Sequence, residues 1–241
     1  MTTTKTTRKR TTTTSKATSG KTTTKKKTSK IMPSESSPRL EWFETEDGSR
    51  TLRDLELNVT YRSSHGAQTE SQHVFVNPVA GRKESLKVFE FGFGLGTNFV
   101  ELRRAHPGPF TYKAVEHRPL PRVWEDVLGW DATLPLKVGG VQLEVQCKEF
   151  AMVELESDFD VVFHDPFGPS ANPDAWSVEV FEREFNALSP HGILLTYSSA
   201  GHVRRALEDV GFRVLKRPGP GRKREVIAAL KSDAARELWA L

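Results

Sequence analysis

From Leu86 onward the chain alternates short apolar runs with segments of helical periodicity, and few architectures accommodate that alternation. "LKVFEFG" is a buried-type strand and "TNFVELRRA" a helix, and "FTYKAVEH" with "LPRVWEDVLGW" repeats the pair. "VQLEVQC" with "KEFAMVELE", "FDVVFHD" with "PDAWSVEVFEREFNAL", and "GILLTYSS" with "HVRRALEDVG" extend it to five units. Strands separated by helices pair in parallel, with helices covering both sheet faces. The end departs from that rule. "FRVLKR" and "KREVIAAL" are joined by a short Pro/Gly loop, too short for the crossover that parallel neighbours need, so this last pair is antiparallel. The reading for residues 81–241 is an α/β fold: a doubly wound, mostly parallel, seven-stranded sheet closed by a C-terminal antiparallel hairpin.

The chain ahead of this region has a different texture. Residues 1–38 are a Thr/Lys-rich tail; its first thirty positions hold ten of the chain's 35 basic residues and no acid, leaving 25 basic against 31 acidic residues elsewhere. So polar a tract cannot offset its ordering entropy by burial, and disorder is expected. It reads either as an arm attracted to polyanions such as RNA or as a solubilising extension. Residues 39–80 read as a small β-rich cap or lid: "EWFETEDGSRTLRD" is a hairpin turning at Asp47-Gly48, with β-like pieces after it at Val59 to Tyr61 and His73 to Val76. No apolar stretch approaches the roughly 20 residues of a membrane span. No apolar run comes after the basic N-terminus, so a secretory signal is not expected. The single cysteine, Cys147, fits a reducing compartment, and a cytoplasmic location is expected. The seven histidines show no metal-ligand spacing, and no metal is expected. Oligomeric state is left open.

Glu90-x-Gly92-x-Gly94-x-Gly96 falls where the first strand of the alternation meets its helix. Glycines there permit positive φ and let the backbone approach a ligand. Counted from Gly92 or Gly94, the third glycine of a dinucleotide fingerprint is replaced by Thr97 or Asn98. The spacing instead resembles motif I of S-adenosylmethionine-dependent methyltransferases. Glu116, twenty positions after Gly96 at a strand end, is placed to accept the ribose hydroxyls of an adenosyl group. Glu149 is the nearest acid after the third strand for the adenine amino group, although Lys148 occupies the expected position.

"FDVVFHDPFGPSANPDAW" places Asp165-Pro166-Phe167-Gly168 at the carboxyl end of the fourth strand, where open α/β folds build their sites. The segment resembles the Asp/Asn-Pro-Pro-aromatic box of amino-group methyltransferases. Asp165 and a nearby backbone carbonyl can accept amine hydrogens and orient the nitrogen lone pair, and Asp165 can take the proton. Phe167 offers an aromatic face to a base or cation. Asn172-Pro173-Asp174 reads as a helix start with Asn172 as N-cap, and His164 and Trp176 read as packing. "RPGPGRKRE" sets Arg217, Arg222, Lys223 and Arg224 around the last loop, either to hold RNA phosphate or as a solvated hairpin.

Taken in order, "TYRSSHGAQTESQHVFV", "FEFGFGLGTNF", "VEHRPL", "HDPFGPSANPDAW", "TYSSAGHVRRALEDVGF" and "GPGRKRE" resemble the methyltransferase half of the MnmC family of tRNA wobble-uridine-modifying enzymes, over about Trp42 to Leu230. The resemblance implies a class I methyltransferase fold, and transfer of a methyl group from S-adenosylmethionine to the exocyclic amine of 5-aminomethyl-2-thiouridine in tRNA. It implies a catalytic role for Asp165 and cofactor roles for Glu90, Gly92, Gly94, Gly96 and Glu116; the residues' own positions add Phe167 to the catalytic pair, Asn98 and Glu149 to the cofactor set, and Pro166, Gly168, Arg222, Lys223 and Arg224 as substrate contacts. The family usually reads Asp-Gly-Phe-Ala-Pro where this chain has Asp165-Pro166-Phe167-Gly168-Pro169. No flavin domain follows Leu241, so a separate source of the amine is expected. Alternatives are a small-molecule amine N-methyltransferase, an aminopropyltransferase-like enzyme, or a non-catalytic RNA-binding protein on the same fold.

Overall fold

Strand β4 (Leu86–Phe91) organises the molecule, because the chain builds outward from it in both directions. To one side lie β5 (Phe110–Val115), β7 (Val141–Gln146) and β6 (Leu136–Val138); to the other lie β8 (Phe159–His164), β9 (Leu188–Thr196), β11 (Glu225–Leu230) and β10 (Arg213–Pro218). The four central pairings, β5–β7, β4–β5, β4–β8 and β8–β9, are parallel. The β9–β11, β10–β11 and β6–β7 pairs are antiparallel. The computed structural model describes Met1 and residues 39–82, 84–221 and 223–239, so the tail after Met1 lies outside the described residues.

The doubly wound sheet and its C-terminal hairpin match the expected plan with one strand more, giving eight. The added strand is β6, which turns into β7 through Gly139 and Gly140 at φ 58° and 83°. Two adjacent positive-φ glycines twist a tight turn with the strands it joins. Between the strands run α3 (Thr97–Ala105), α4 (Pro121–Leu128), α5 (Val178–Ala187) and α6 (Gly201–Val210), with α7 (Ala234–Trp239) after β11. Alternate strand residues feed two cores. Val88, Tyr112, Val161 and Phe163 belong to one, whereas Phe89, Val115, Val162 and Leu194 belong to the other. Burying each such side chain contributes roughly 1.5–3 kcal/mol.

Ahead of β4, an antiparallel sheet is made of β1 (Leu40–Glu44), β2 (Arg50–Asp54) and β3 (Val59–Thr60). The β-like reading of His73 to Val76 is corrected. Those residues lie in a π-helical turn, Ser71–Val76, between α1 (Ala67–Glu70) and α2 (Asn77–Ala80). Gln68 and Gln72, four positions apart on one helical face, both donate to the Glu101 carboxylate of α3, at 3.2 and 2.8 Å. Val74, Phe75, Val76 and Val79 are fully buried in the first core. "KEFAMVELE" is likewise not a full helix but one 3₁₀ turn, Phe150–Met152. The Arg183 guanidinium donates to the carbonyls of Phe150 and Val153, groups that a continuing helix would bond internally. The helix expected from Pro173 starts as a separate 3₁₀ turn, Pro173–Trp176, and Asn172 makes no side-chain capping bond; Ser177 caps α5 by accepting from the Val180 amide.

Strand order reverses between β4 and β8, and their carboxyl ends carry Gly92 and Asp165 respectively. Such a switch point opens a crevice in a doubly wound sheet.

Candidate active site

The glycine loop is held open by backbone and aromatic contacts. Gly92 has φ 90°, and a Cβ there would stand 2.6 Å from the Asp165 carbonyl oxygen, so only glycine lets the ends of β4 and β8 approach this closely. The Asp165 amide donates to the Phe91 carbonyl at 2.9 Å and completes the join. At the far end of the loop the Trp124 indole donates to the Gly94 carbonyl at 2.7 Å. The Gly94 amide turns the other way and donates to Glu116 Oε2 at 2.8 Å, while the Arg118 amide donates to Glu116 Oε1 at 2.8 Å. Burial pushes the Glu116 carboxyl upward, and these two amide donors oppose the shift. Each oxygen keeps further lone-pair capacity for an incoming hydroxyl pair.

Asp165 sits in a buried charge cluster. Its Oδ2 accepts from Asn98 Nδ2 at 2.9 Å and is ion-paired with the Arg62 guanidinium. Asn98 also donates to Glu90 Oε1 at 2.6 Å and accepts from the Ser71 hydroxyl at 2.6 Å. The Tyr112 hydroxyl donates to Glu90 Oε2 at 2.7 Å. Two acids thus share one guanidinium. Burial lifts Glu90 to about 8, with Arg62 opposing and Asp165 adding to the rise. Burial lifts Asp165 to about 6, again against Arg62. Burial thus favours a proton on Glu90 more than on Asp165, whose pairing with Arg62 is direct, and this spares the cluster a second unpaired buried charge.

Two cavities meet at this cluster, and Tyr61, Arg62, Asp165, Pro166, Phe167 and Ala171 line both. The smaller, about 280 Å³, runs along Gly92, Gly94, Val115 and Glu116. The larger, about 560 Å³, is bounded by Arg53, Glu70, Gly168, Tyr197 and Lys223. The shared wall is braced from outside. Tyr197 donates its hydroxyl to the Pro166 carbonyl at 2.8 Å, Trp176 donates its indole N–H to the Phe167 carbonyl at 2.9 Å, and the Tyr61 ring meets Phe167 edge-on at 5.1 Å. Such bracing fixes the direction of the Asp165 carboxylate.

The structure brings Gly92, Gly94, Glu116, Asp165, Pro166, Phe167, Gly168 and Lys223 to the cavity walls. Gly96, at φ 74°, starts α3, and Asn98 stands behind Asp165. Glu90 is fully buried beneath the loop and touches neither cavity. Glu149 is exposed and paired with His117 Nδ1 at 3.0 Å; His117, not Glu149, lines the smaller cavity. Arg224 is exposed outside both cavities, and Arg222 lies outside the described residues. Arg217 donates to the Val74 carbonyl at 3.3 Å. His164 and Glu184 form a buried pair at 2.9 Å away from the cavities. Sequence spacing did not single out Tyr61, Arg62, Glu70 or Tyr197. The first three come from the segment entering and crossing the helical region before β4, and only tertiary packing sets them opposite Asp165. Among the described residues no three His, Cys, Asp or Glu side chains gather as a metal site, and no helix is long and apolar enough to cross a membrane.

Known proteins resemble this chain in sequence and in fold. A family model described as S-adenosyl-L-methionine-dependent methyltransferase matches residues 114–232. A tRNA 5-methylaminomethyl-2-thiouridine biosynthesis bifunctional protein MnmC from Pseudomonas paraeruginosa is 31% identical over 78% of this chain and 34% of its own length. The chain thus spans about a third of the length of the curated relatives it matches. The crystal structure of MNMC2 from Aquifex aeolicus superposes with a TM-score of 0.67 and 26% identity, over 86% of this chain and 77% of that one. Spermidine synthase from Thermotoga maritima, 16% identical, superposes with a TM-score of 0.55 over 81% of this chain and 70% of its own, a likeness of fold alone.

Proposed function

We infer that this chain, an S-adenosyl-L-methionine-dependent methyltransferase related to the MnmC proteins, methylates the exocyclic amine of 5-aminomethyl-2-thiouridine at the wobble position of tRNA in the cytoplasm. One observation carries the chemistry: a buried carboxyl group, Asp165, paired with the Arg62 guanidinium, stands on the wall common to two cavities. The residues of the smaller cavity fit the methyl donor, because Gly94 carries no side chain beside the cavity and the anchored Glu116 carboxylate can accept two hydroxyls. When bound there, S-adenosylmethionine supplies an electrophilic methyl carbon on a sulfonium whose departing electron pair leaves as a thioether.

The chain's own residues do the rest. Asp165 takes a proton from the acceptor ammonium, frees the nitrogen lone pair and passes that proton on to solvent through the open cavity; its restored carboxylate then faces the cation that nitrogen becomes on alkylation. Arg62 and Asn98 hold Asp165 in one orientation, and Arg62 keeps it ionised. Phe167, pinned by Trp176 and Tyr61, presents its ring to the developing charge. Glu90 acts from below, fixing Asn98 rather than touching a ligand. Lys223, with the neighbouring basic loop, and the Thr/Lys tail give an otherwise acidic body local attraction for tRNA.

Incubating the protein with methyl-labelled S-adenosylmethionine and bulk tRNA lacking the final methyl, then digesting to nucleosides, tests the reading. Label in 5-methylaminomethyl-2-thiouridine supports it, and measurable donor binding with no label in that nucleoside refutes it.

A further inference from the structure

The larger cavity already contains a cation. Lys223, on the loop between β10 and β11, places its ammonium 2.9 Å from Glu70 Oε2 and 4.6 Å from the centroid of the Tyr197 ring. A carboxylate and an aromatic face converging on one point are the pair of groups that recognises an ammonium ion. The two partners are more deeply buried than the lysine. The Glu70 side chain is 11% exposed, and the Tyr197 hydroxyl is committed to the Pro166 carbonyl. The Lys223 side chain is 34% exposed, on a loop that also holds Gly219, Pro220 and Gly221. Arg62, which also lines this cavity, is buried against Asp165 and has no comparable way out.

We propose that Glu70 and the Tyr197 ring form an alkylammonium subsite, which Lys223 fills in the free protein and the amine of the acceptor occupies by displacing it. Asp165, Pro166 and Tyr197 border the same cavity, and Tyr197 is bonded to the residue after Asp165. An ammonium group arriving at Glu70 is therefore delivered beside the group that takes its proton. The cavity holds two acids, Glu70 and Asp165, so an uncharged acceptor that expelled Lys223 would leave Glu70 buried without its partner. The lysine thus acts as a charge filter: it yields to a cation and stays in place against a neutral group of the same shape. The assignment of that cation as the methyl-accepting amine rests on the proposed function, whereas the subsite itself does not.

The test uses the full chain with benzylammonium chloride as probe and benzyl alcohol as its neutral counterpart, each titrated by calorimetry near neutral pH. If Lys223 occupies the subsite about nine-tenths of the time, Lys223→Met tightens benzylammonium binding about tenfold. Glu70→Gln, introduced into the Lys223→Met protein, removes that gain. Benzyl alcohol, which forms no ion pair, binds the Lys223→Met protein with nearly the same affinity whether or not Glu70→Gln is added. Unchanged or weaker benzylammonium binding by Lys223→Met overturns the proposal, as does an equal loss of alcohol and ammonium binding on adding Glu70→Gln. Thermal unfolding of each variant accompanies the titrations, and if Glu70→Gln does not fold, the Lys223→Met comparison decides alone. Neither tRNA nor methyl donor is present, so the outcome is separable from the transfer assay. Amine binding governed by Lys223 without label in tRNA keeps the subsite and rejects the tRNA acceptor. Labelled tRNA with a Lys223→Met protein indifferent to benzylammonium does the reverse.

Discussion

Adding one methyl group at Gly92 asks whether the glycine loop fixes the position of Asp165. Alanine at φ 90° is strained whatever the space around it, at a cost of roughly 1–2 kcal/mol. The new Cβ would also lie 2.6 Å from the Asp165 carbonyl oxygen, 2.9 Å from its carbon and 3.0 Å from Pro166 Cα. All three are backbone atoms, so no side chain can swing aside. Restoring ordinary contact requires the ends of β4 and β8 to part by several tenths of an ångström, which weakens the bond from the Asp165 amide to the Phe91 carbonyl. Losing that bond adds roughly 1 kcal/mol. The sum, roughly 2–3 kcal/mol, lowers the melting temperature by about 4–12 °C for a chain of this size. A shift of that scale in a proton acceptor reduces turnover by up to about 10²-fold. Gly129→Ala is the matched control: φ is 70°, and no atom among the described residues lies within 4 Å of the added Cβ. It should show the strain cost alone, with turnover unchanged. Thermal unfolding and methyl-transfer rates of the two variants, measured side by side, decide the matter. If Gly92→Ala behaves like Gly129→Ala in both assays, the close approach of the two strand ends does not position Asp165.

Glu90→Gln should change how stability depends on pH. The folded Glu90 carboxyl lies at about 8 against an ordinary 4.5, so the stability tied to its protonated form is full below about 4.5 and is lost as pH rises through about 8. Between about pH 6.5 and 9, above the Asp165 transition, the wild-type protein should lose on the order of 1–3 kcal/mol that the glutamine variant retains. Urea unfolding at both pH values measures it, and parallel pH slopes would contradict a protonated Glu90. Removing residues 2–30 deletes the ten basic residues of the tail. It should weaken tRNA binding chiefly at low salt and flatten the dependence of affinity on salt concentration. An unchanged slope identifies the tail as inert.

How much of the fold and site was legible in the sequence depended on whether a feature is written locally. The spacing of Gly92, Gly94 and Gly96, the acid at Glu116 and the Asp165-Pro166-Phe167 turn each sit at the carboxyl end of a strand, so reading the strands also placed them. Val74-Phe75-Val76 misled because a three-residue apolar run reads the same as a strand or as one buried helical turn. The period that would have separated them lies in Gln68 and Gln72, whose shared partner Glu101 is distant in sequence. Strand β6 was signalled by Gly139-Gly140, a hairpin dipeptide between two apolar pairs. Arg62, Glu70 and Tyr197 were invisible for another reason. Nothing in the residues beside them says that a guanidinium will pair with an acid about a hundred positions away, or that Glu70 and the Tyr197 ring will close on a lysine from the last loop.

The central claim is that Asp165 removes the acceptor's proton and does not serve to hold the methyl donor. Asp165→Asn keeps the side chain's size and an oxygen to accept from Asn98, so the measurement is its methyl-transfer rate to undermethylated tRNA beside its equilibrium affinity for S-adenosylmethionine. The account predicts a fall in transfer of about 10²–10⁴-fold with donor affinity nearly unchanged. In the wild type it predicts transfer that rises with pH through about 6, where Asp165 ionises. Transfer retained in Asp165→Asn, or lost only in proportion to donor binding, would contradict it.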